Sequence, residues 1–207
     1  AHALRVAACE VTGRLPLMKV SDYLTELAEV ILDYVMHLTW RQMVARHGYP
    51  DGEVHALPNF LIVGYGKLGG IELAHGSDLD LVFIHDASPM GSTQPQTDQQ
   101  RSIDNASFYV RLGQKIIHIL NTQTPSGQLY EVDMRLRPSG NSGMLVTRFS
   151  AFEKYQFESA WTWEHQALVR ARAICGRPEL MARFTELRQR VLSQPRDLAK
   201  LRKDVVD

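Results

Sequence analysis

The sequence predicts an α+β fold, a small mixed sheet flanked by helices, with helical segments toward both ends of the chain. Three observations predict it. Apolar runs of strand length at 60–63 and 79–84 are separated by a glycine-rich stretch, and apolar residues recur at three- and four-residue spacing through 24–38 and 108–120. The 207 residues, 44% hydrophobic and 22% charged, suffice for one hydrophobic core, and no second core is visible. One domain over 1–207 is expected, with a helical segment at 1–58, the sheet core at 59–149 and helices over 150–207.

Each element has its signal. From Ser21, a suitable N-cap, Leu24, Leu27, Ala28, Ile31, Leu32, Val35 and Leu38 share a face until Gly48 and Pro50, so one long amphipathic helix is expected. Asn59 to Tyr65 carries the run FLIV into glycines, which suits a buried strand feeding a tight turn, and 78–84, DLDLVFI, reads as a second strand. The polar stretch 87–101 reads as a mobile loop. Asp104 caps a helix that buries Phe108, Leu112, Ile116, Ile119 and Leu120. Leu129 to Leu136 alternates, with Tyr130, Val132, Met134 and Leu136 on one side and Glu131, Asp133 and Arg135 on the other, as a strand with a charged face. Ser150 with Glu153 suggests a capping box, after which helix is expected through Gly176 and again from Pro178 to about Leu192.

Composition excludes several function classes. Lys plus Arg equals Asp plus Glu at 23 each, so the chain has no overall charge with which to coat nucleic acid or an acidic membrane, and any anion site is local. Cys9 and Cys175 are too few for a disulfide framework or a thiol zinc site, which fits a reducing cytoplasm. No run approaches the roughly 18 apolar residues of a membrane span, and the opening AHALRVAACEVTGR lacks the pattern of a secretory signal. The start at Ala1 and the charged helical pattern at the other end suggest a piece of a longer protein.

The chemistry concentrates between Asn59 and Phe83. Gly64, Gly66 and Gly69 match G-x-G-x-x-G after a strand, but only 70–77 separate the last glycine from Asp78, too few for the crossover helix of a dinucleotide-binding unit. Asp78 and Asp80 instead share one face of a strand while Leu79 and Leu81 point into the core. Two carboxylates that close repel unless a cation lies between them, which calls for Mg²⁺ or a similar hard ion. Asp133 joins them if its strand lies alongside. Three such ligands can hold two metal ions, the arrangement that stabilises attacking and leaving oxygens in displacement at phosphorus. Gly66, Lys67, Gly69 and Gly70 offer unobstructed backbone amides and a positive charge to phosphate. The competing readings are solvated acids at a strand edge and glycines needed only for packing.

The spacing Gly66, eleven residues, Asp78, one residue, Asp80 resembles the nucleotidyltransferase superfamily of polymerase-beta-like enzymes. More narrowly, GYGKLGGIELAHGSDLDLVF, YEVDMRLRPSGNSGMLV and AWTWEHQALVRAR resemble the two-headed glutamine synthetase adenylyltransferase family over about 59–176. Lys67 stands where many superfamily members carry Ser. The resemblance implies that Asp78, Asp80 and Asp133 bind Mg²⁺ and that Gly66, Lys67 and Ser77 contact the triphosphate of ATP. Arg135 and Arg137, on the same strand face as Asp133, then suit the nucleotide or the leaving pyrophosphate, although either arginine would also neutralise Asp133 or Glu131.

One head of that family adds AMP to a tyrosine of glutamine synthetase and the other removes it by phosphorolysis; the motifs look more like the adenylylating C-terminal head. A docking module for glutamine synthetase or the PII signalling protein is the alternative outside catalysis. Trp161, His165 and Leu168 share a helical face, so core packing is expected of them, with a platform for the substrate tyrosine as the rival reading. From Arg170 onward ten basic residues stand against five acidic ones, as on a solvated helical face.

Overall fold

The central strands owe their position to continuous apolar sequence, because only a strand covered on both faces can bury Phe60 to Val63 and Leu81 to Ile84 completely. The computed structural model describes residues 2–52, 54, 56–125 and 127–195. In chain order its elements are α1 (His2–Val11), α2 (Leu17–His47), β1 (Tyr49–Pro50), β2 (Phe60–Gly64) and the single turn α3 (Gly66–Gly69). These are followed by β3 (Leu79–His85), β4 (Thr93–Gln94), α4 (Asn105–Asn121) and β5 (Val132–Asp133). After a 3-10 turn at Gly140–Ser142 come β6 (Val146–Arg148), α5 (Phe149–Glu158), α6 (Thr162–Val169), β7 (Arg172–Gly176) and α7 (Pro178–Leu192).

The sheet is mixed, as expected. Its order is β5-β3-β2-β7, with β6 also pairing with β3. β2 runs antiparallel to both β3 and β7, while β5 and β6 run parallel to β3. Helices cover both faces, an α+β arrangement consistent with a nucleotidyltransferase-like fold. Alternation along the strands divides the buried side chains. Phe60, Ile62, Leu79, Leu81 and Phe83 pack with α2 and α4, whereas Leu61, Val63, Val82 and Ile84 pack with α5, α6 and α7. The expected single core is therefore two layers on opposite faces of one sheet.

Several local expectations are corrected. α2 begins at Leu17, after Pro16 in an extended conformation, so Ser21 lies inside the helix and does not cap it. The polar stretch 87–101 contains β4, which pairs with β1 and buries Thr93. The alternating segment 129–136 contributes only Val132 and Asp133 to the sheet, because residues 134–138 turn away. Ser150 does not form a capping box: Arg148 precedes α5, and Glu153 instead pairs with Arg190 at 2.8 Å. The expectation of helix up to Gly176 fails at β7, whose five residues form an edge strand against β2. Asp104 caps α4 as expected, accepting from the Ser107 amide at 2.7 Å. The expected helical continuation and basic residues at 196–207 lie outside the described residues.

Candidate active site

Strand pairing brings the acidic residues together. In the parallel register of β3 and β5, Leu79 lies opposite Val132 and Asp80 opposite Asp133. Leu79 and Leu81 are fully buried, so the alternate positions put Asp80, and Asp78 just before the strand, on the other face. One oxygen from each of Asp78, Asp80 and Asp133 lies within 4.8 Å of the other two.

The glycine turn closes on the same point. The Tyr65 amide donates to the Asp80 carbonyl at 2.9 Å, and Gly66 follows at φ 53°. A Cβ at Gly66 would collide with Oδ2 of Asp80, so both the backbone angle and the carboxylate require glycine here. Lys67 is exposed on this turn, near enough for its charge to act on Asp80. Ser77 ends the adjoining loop, where its Oγ accepts from the Ala74 amide at 3.1 Å immediately before Asp78.

The electrostatics distinguish the acids. Burial, followed by repulsion from Asp78 and Asp133, pushes the Asp80 carboxyl above its ordinary range, against opposing influence from Arg135 and Lys67. The side-chain bond from Arg135 holds Asp133 below the ordinary range, against a smaller effect of burial. Arg135 embraces Asp133 from both sides: its amide donates to Oδ1 at 2.8 Å, its Nε donates to Oδ2 at 2.7 Å, and Nη2 lies 2.5 Å from Oδ2.

Arg137 behaves differently from its expected partner. It braces the loop, donating to the carbonyls of Met134 at 2.7 Å, Asn141 at 3.3 Å and Gly143 at 3.4 Å. The expected core packing of the Trp161 face holds for Leu168, which is buried, but not for Trp161, which is 70% exposed beside a 53% exposed Trp163, while α6 turns Glu164 inward. Sequence reasoning missed Arg172. Its guanidinium donates to the carbonyls of Leu68 at 3.1 Å and Gly69 at 3.3 Å and pairs with Glu29 at 2.5 Å, tying the glycine turn to α2. Only recognition of 172–176 as a strand beside β2 would have revealed it.

A hard divalent cation suits this donor set. Three carboxylates converge beside a glycine that leaves room for them, and ionisation of one of them, Asp80, is opposed first by burial and then by the other two.

Comparison with known proteins agrees with the geometry. The sequence model of the family described as glutamate-ammonia ligase adenylyltransferase matches residues 1–187. The chain is 63% identical over 207 residues to a bifunctional glutamine synthetase adenylyltransferase/adenylyl-removing enzyme of Pseudomonas putida, covering 99% of this chain and 21% of that protein. Similarly named proteins of Pseudomonas syringae pv. tomato and Hahella chejuensis are 61% and 57% identical, covering 99% and 100% of this chain and 21% of each relative. The chain thus spans about a fifth of the length of these curated relatives. Among the described residues no helix is long and apolar enough to cross a membrane.

Proposed function

The chain belongs to the glutamate-ammonia ligase adenylyltransferase family, and on that premise we propose that it transfers AMP from ATP to a tyrosine hydroxyl of glutamine synthetase, releasing pyrophosphate. The observation that carries this reading is the meeting of Asp78, Asp80 and Asp133 beside the Gly66–Lys67 turn.

Asp78, Asp80 and Asp133 would hold Mg²⁺, which when bound supplies charge neutralisation and polarisation at the α-phosphate. The remaining work falls to the chain itself. The turn at Gly66 lets phosphate oxygens approach the backbone without a Cβ in the way, and Lys67 adds a positive charge there. Ser77, immediately before Asp78, would contact the triphosphate. Arg135 is the guanidinium best placed to follow charge onto the leaving pyrophosphate, because its side chain is 74% exposed beside Asp133. Arg137 serves the nucleotide indirectly by holding the loop. A tyrosine hydroxyl has an ordinary pKa of about 10 and must lose its proton as it attacks. A carboxylate of the trio such as Asp133 would take that proton.

The test is labelling of purified glutamine synthetase from α-labelled ATP and Mg²⁺. Asp78→Asn and Asp80→Asn should remain folded and lose transfer by at least about a hundredfold; a folded variant that labels at the wild-type rate rules the reading out. The opposite direction belongs in the same experiment. Release of ADP from adenylylated glutamine synthetase and phosphate, without forward transfer, would assign the chain to removal of AMP. Binding of glutamine synthetase without turnover in either direction would assign it to docking.

A further inference from the structure

The segment following Asp133 is the least regular part of the site. Between β5 and β6 it contains one 3-10 turn and reverses through Ser139 and Gly140 at φ 62° and 54°. A serine in the left-handed region costs roughly 1 kcal/mol and persists where its surroundings hold it. Arg137 ties the segment from inside through its three carbonyl contacts.

The outer tie runs through two side chains that the proposed mechanism leaves unused. The Ser139 amide donates to the Tyr155 hydroxyl at 3.2 Å. That hydroxyl lies 2.9 Å and 3.0 Å from the two carboxylate oxygens of Glu164 and donates to one of them. The Trp161 amide donates to Oε2 of the same carboxylate at 2.8 Å. Burial, with the Glu164 carboxylate adding to it, raises the Tyr155 hydroxyl above its ordinary pKa and so keeps it a donor. Glu164 is only 8% exposed and has no ion-pair partner among the described residues. Burying a carboxylate is expensive, and capping α6 does not require it, since a serine or aspartate at the helix start would serve.

We infer that Glu164 and Tyr155 are positioning residues: through the Ser139 amide they fix the 134–143 segment against α5 and α6, and thereby orient Asp133 and Arg135 at its start. Neither touches the reacting atoms. The activity readout rests on the function proposed above, while the direct readout does not.

The experiment uses the full chain, with Tyr155→Phe, Glu164→Ala, the double variant and Glu164→Gln. Misorientation of an acting group without loss of substrate binding lowers kcat and leaves KM alone, so each of the first two should lose about 10- to 100-fold in kcat with KM for ATP within about twofold. The double variant should be no slower than the worse single, because both break one chain. Glu164→Gln retains an acceptor oxygen and should recover most of the rate. Hydrogen exchange at the Ser139 amide should accelerate in Tyr155→Phe by about tenfold or more, whether or not the preparation transfers AMP. Multiplying losses in the double variant, a lowered Tm with unchanged kcat per folded molecule, or unaltered Ser139 exchange each overturn the inference. If Glu164→Ala does not fold, Tyr155→Phe and its exchange rate decide. If wild-type transfer is absent while Ser139 exchange responds as expected, the proposed function fails and the tie stands.

Discussion

At Asp80 burial and two neighbouring carboxylates make the ionised side chain unfavourable, so the folded chain gives up stability there that the proposed cation would restore. The sign is testable. A carboxyl raised in the folded state takes up protons more readily than in the unfolded chain, and stability falls as pH rises through its range. Asp80→Asn should therefore raise Tm in EDTA at neutral pH, by at most about 2–4 °C because the group is partly screened by solvent, while abolishing transfer. A lower Tm in EDTA would show that the carboxylate trio is not under electrostatic tension. Arg135 bears on the same balance from the other side. Both oxygens of Asp133 are engaged by Arg135, so a cation must compete with its guanidinium for that ligand. Arg135→Ala is expected to tighten Mn²⁺ binding by a few-fold, the scale of an exposed ion pair, yet slow transfer, a divergence that separate binding and rate measurements would expose.

At the scale of elements, the residues that brought the acids together were readable because their periods are unambiguous. Leu79, Leu81 and Phe83 alternate with Asp78, Asp80 and Val82, and only a strand reconciles the two sets. β7 was not readable. Its five residues, RAICG, lie between two helices and form an edge whose pairing partner is more than a hundred residues earlier, so nothing local distinguishes it from helix. For α6 the shared face of Trp161, His165 and Leu168 misled because the inward turn is set by Glu164 and its hydrogen bonds rather than by hydrophobicity. His85, at the far end of β3, shows how the pairing carries consequences beyond the site. Burial, and secondarily Arg148, lower its pKa from 6.5 to about 4, and its ring stacks on Tyr109 at 4.7 Å. A histidine depressed in the folded state loses stability as pH falls from the unfolded to the folded value, here on the order of 3 kcal/mol between pH 6.5 and 4. His85→Gln should flatten that limb of a stability–pH curve measured by denaturant titration; an unchanged slope would mean that other groups govern it.

For the molecule as a whole, the division of the core by the sheet determines how it unfolds. β2 and β3 send alternate side chains into both layers, so neither layer keeps its central wall if the other is lost. This was the feature least accessible to pattern reading: the continuous runs FLIV and LVFI announce burial on two faces, but which helices cover which face depends on β7 and α7, distant in sequence from both. Coupling through the shared strands predicts one transition. Phe83→Ala, on the α2 and α4 side, and Phe152→Ala, on the α5 and α7 side, should each cost about 3–5 kcal/mol, since both side chains are almost fully buried. Trp40 is 5% exposed within the first layer and, with Trp161 and Trp163 replaced by Phe in every protein compared, reports on that layer by fluorescence, while far-UV circular dichroism reports on all the helices. The two signals should coincide in the wild type and in both variants. If Phe152→Ala melts its helices while Trp40 remains buried, the layers are energetically separate and the sheet is a partition between them rather than a shared wall. Coincident curves would mean that strain at the carboxylates is felt on both faces, because Asp80 projects from the same strand that holds Leu79 and Leu81 in the opposite layer.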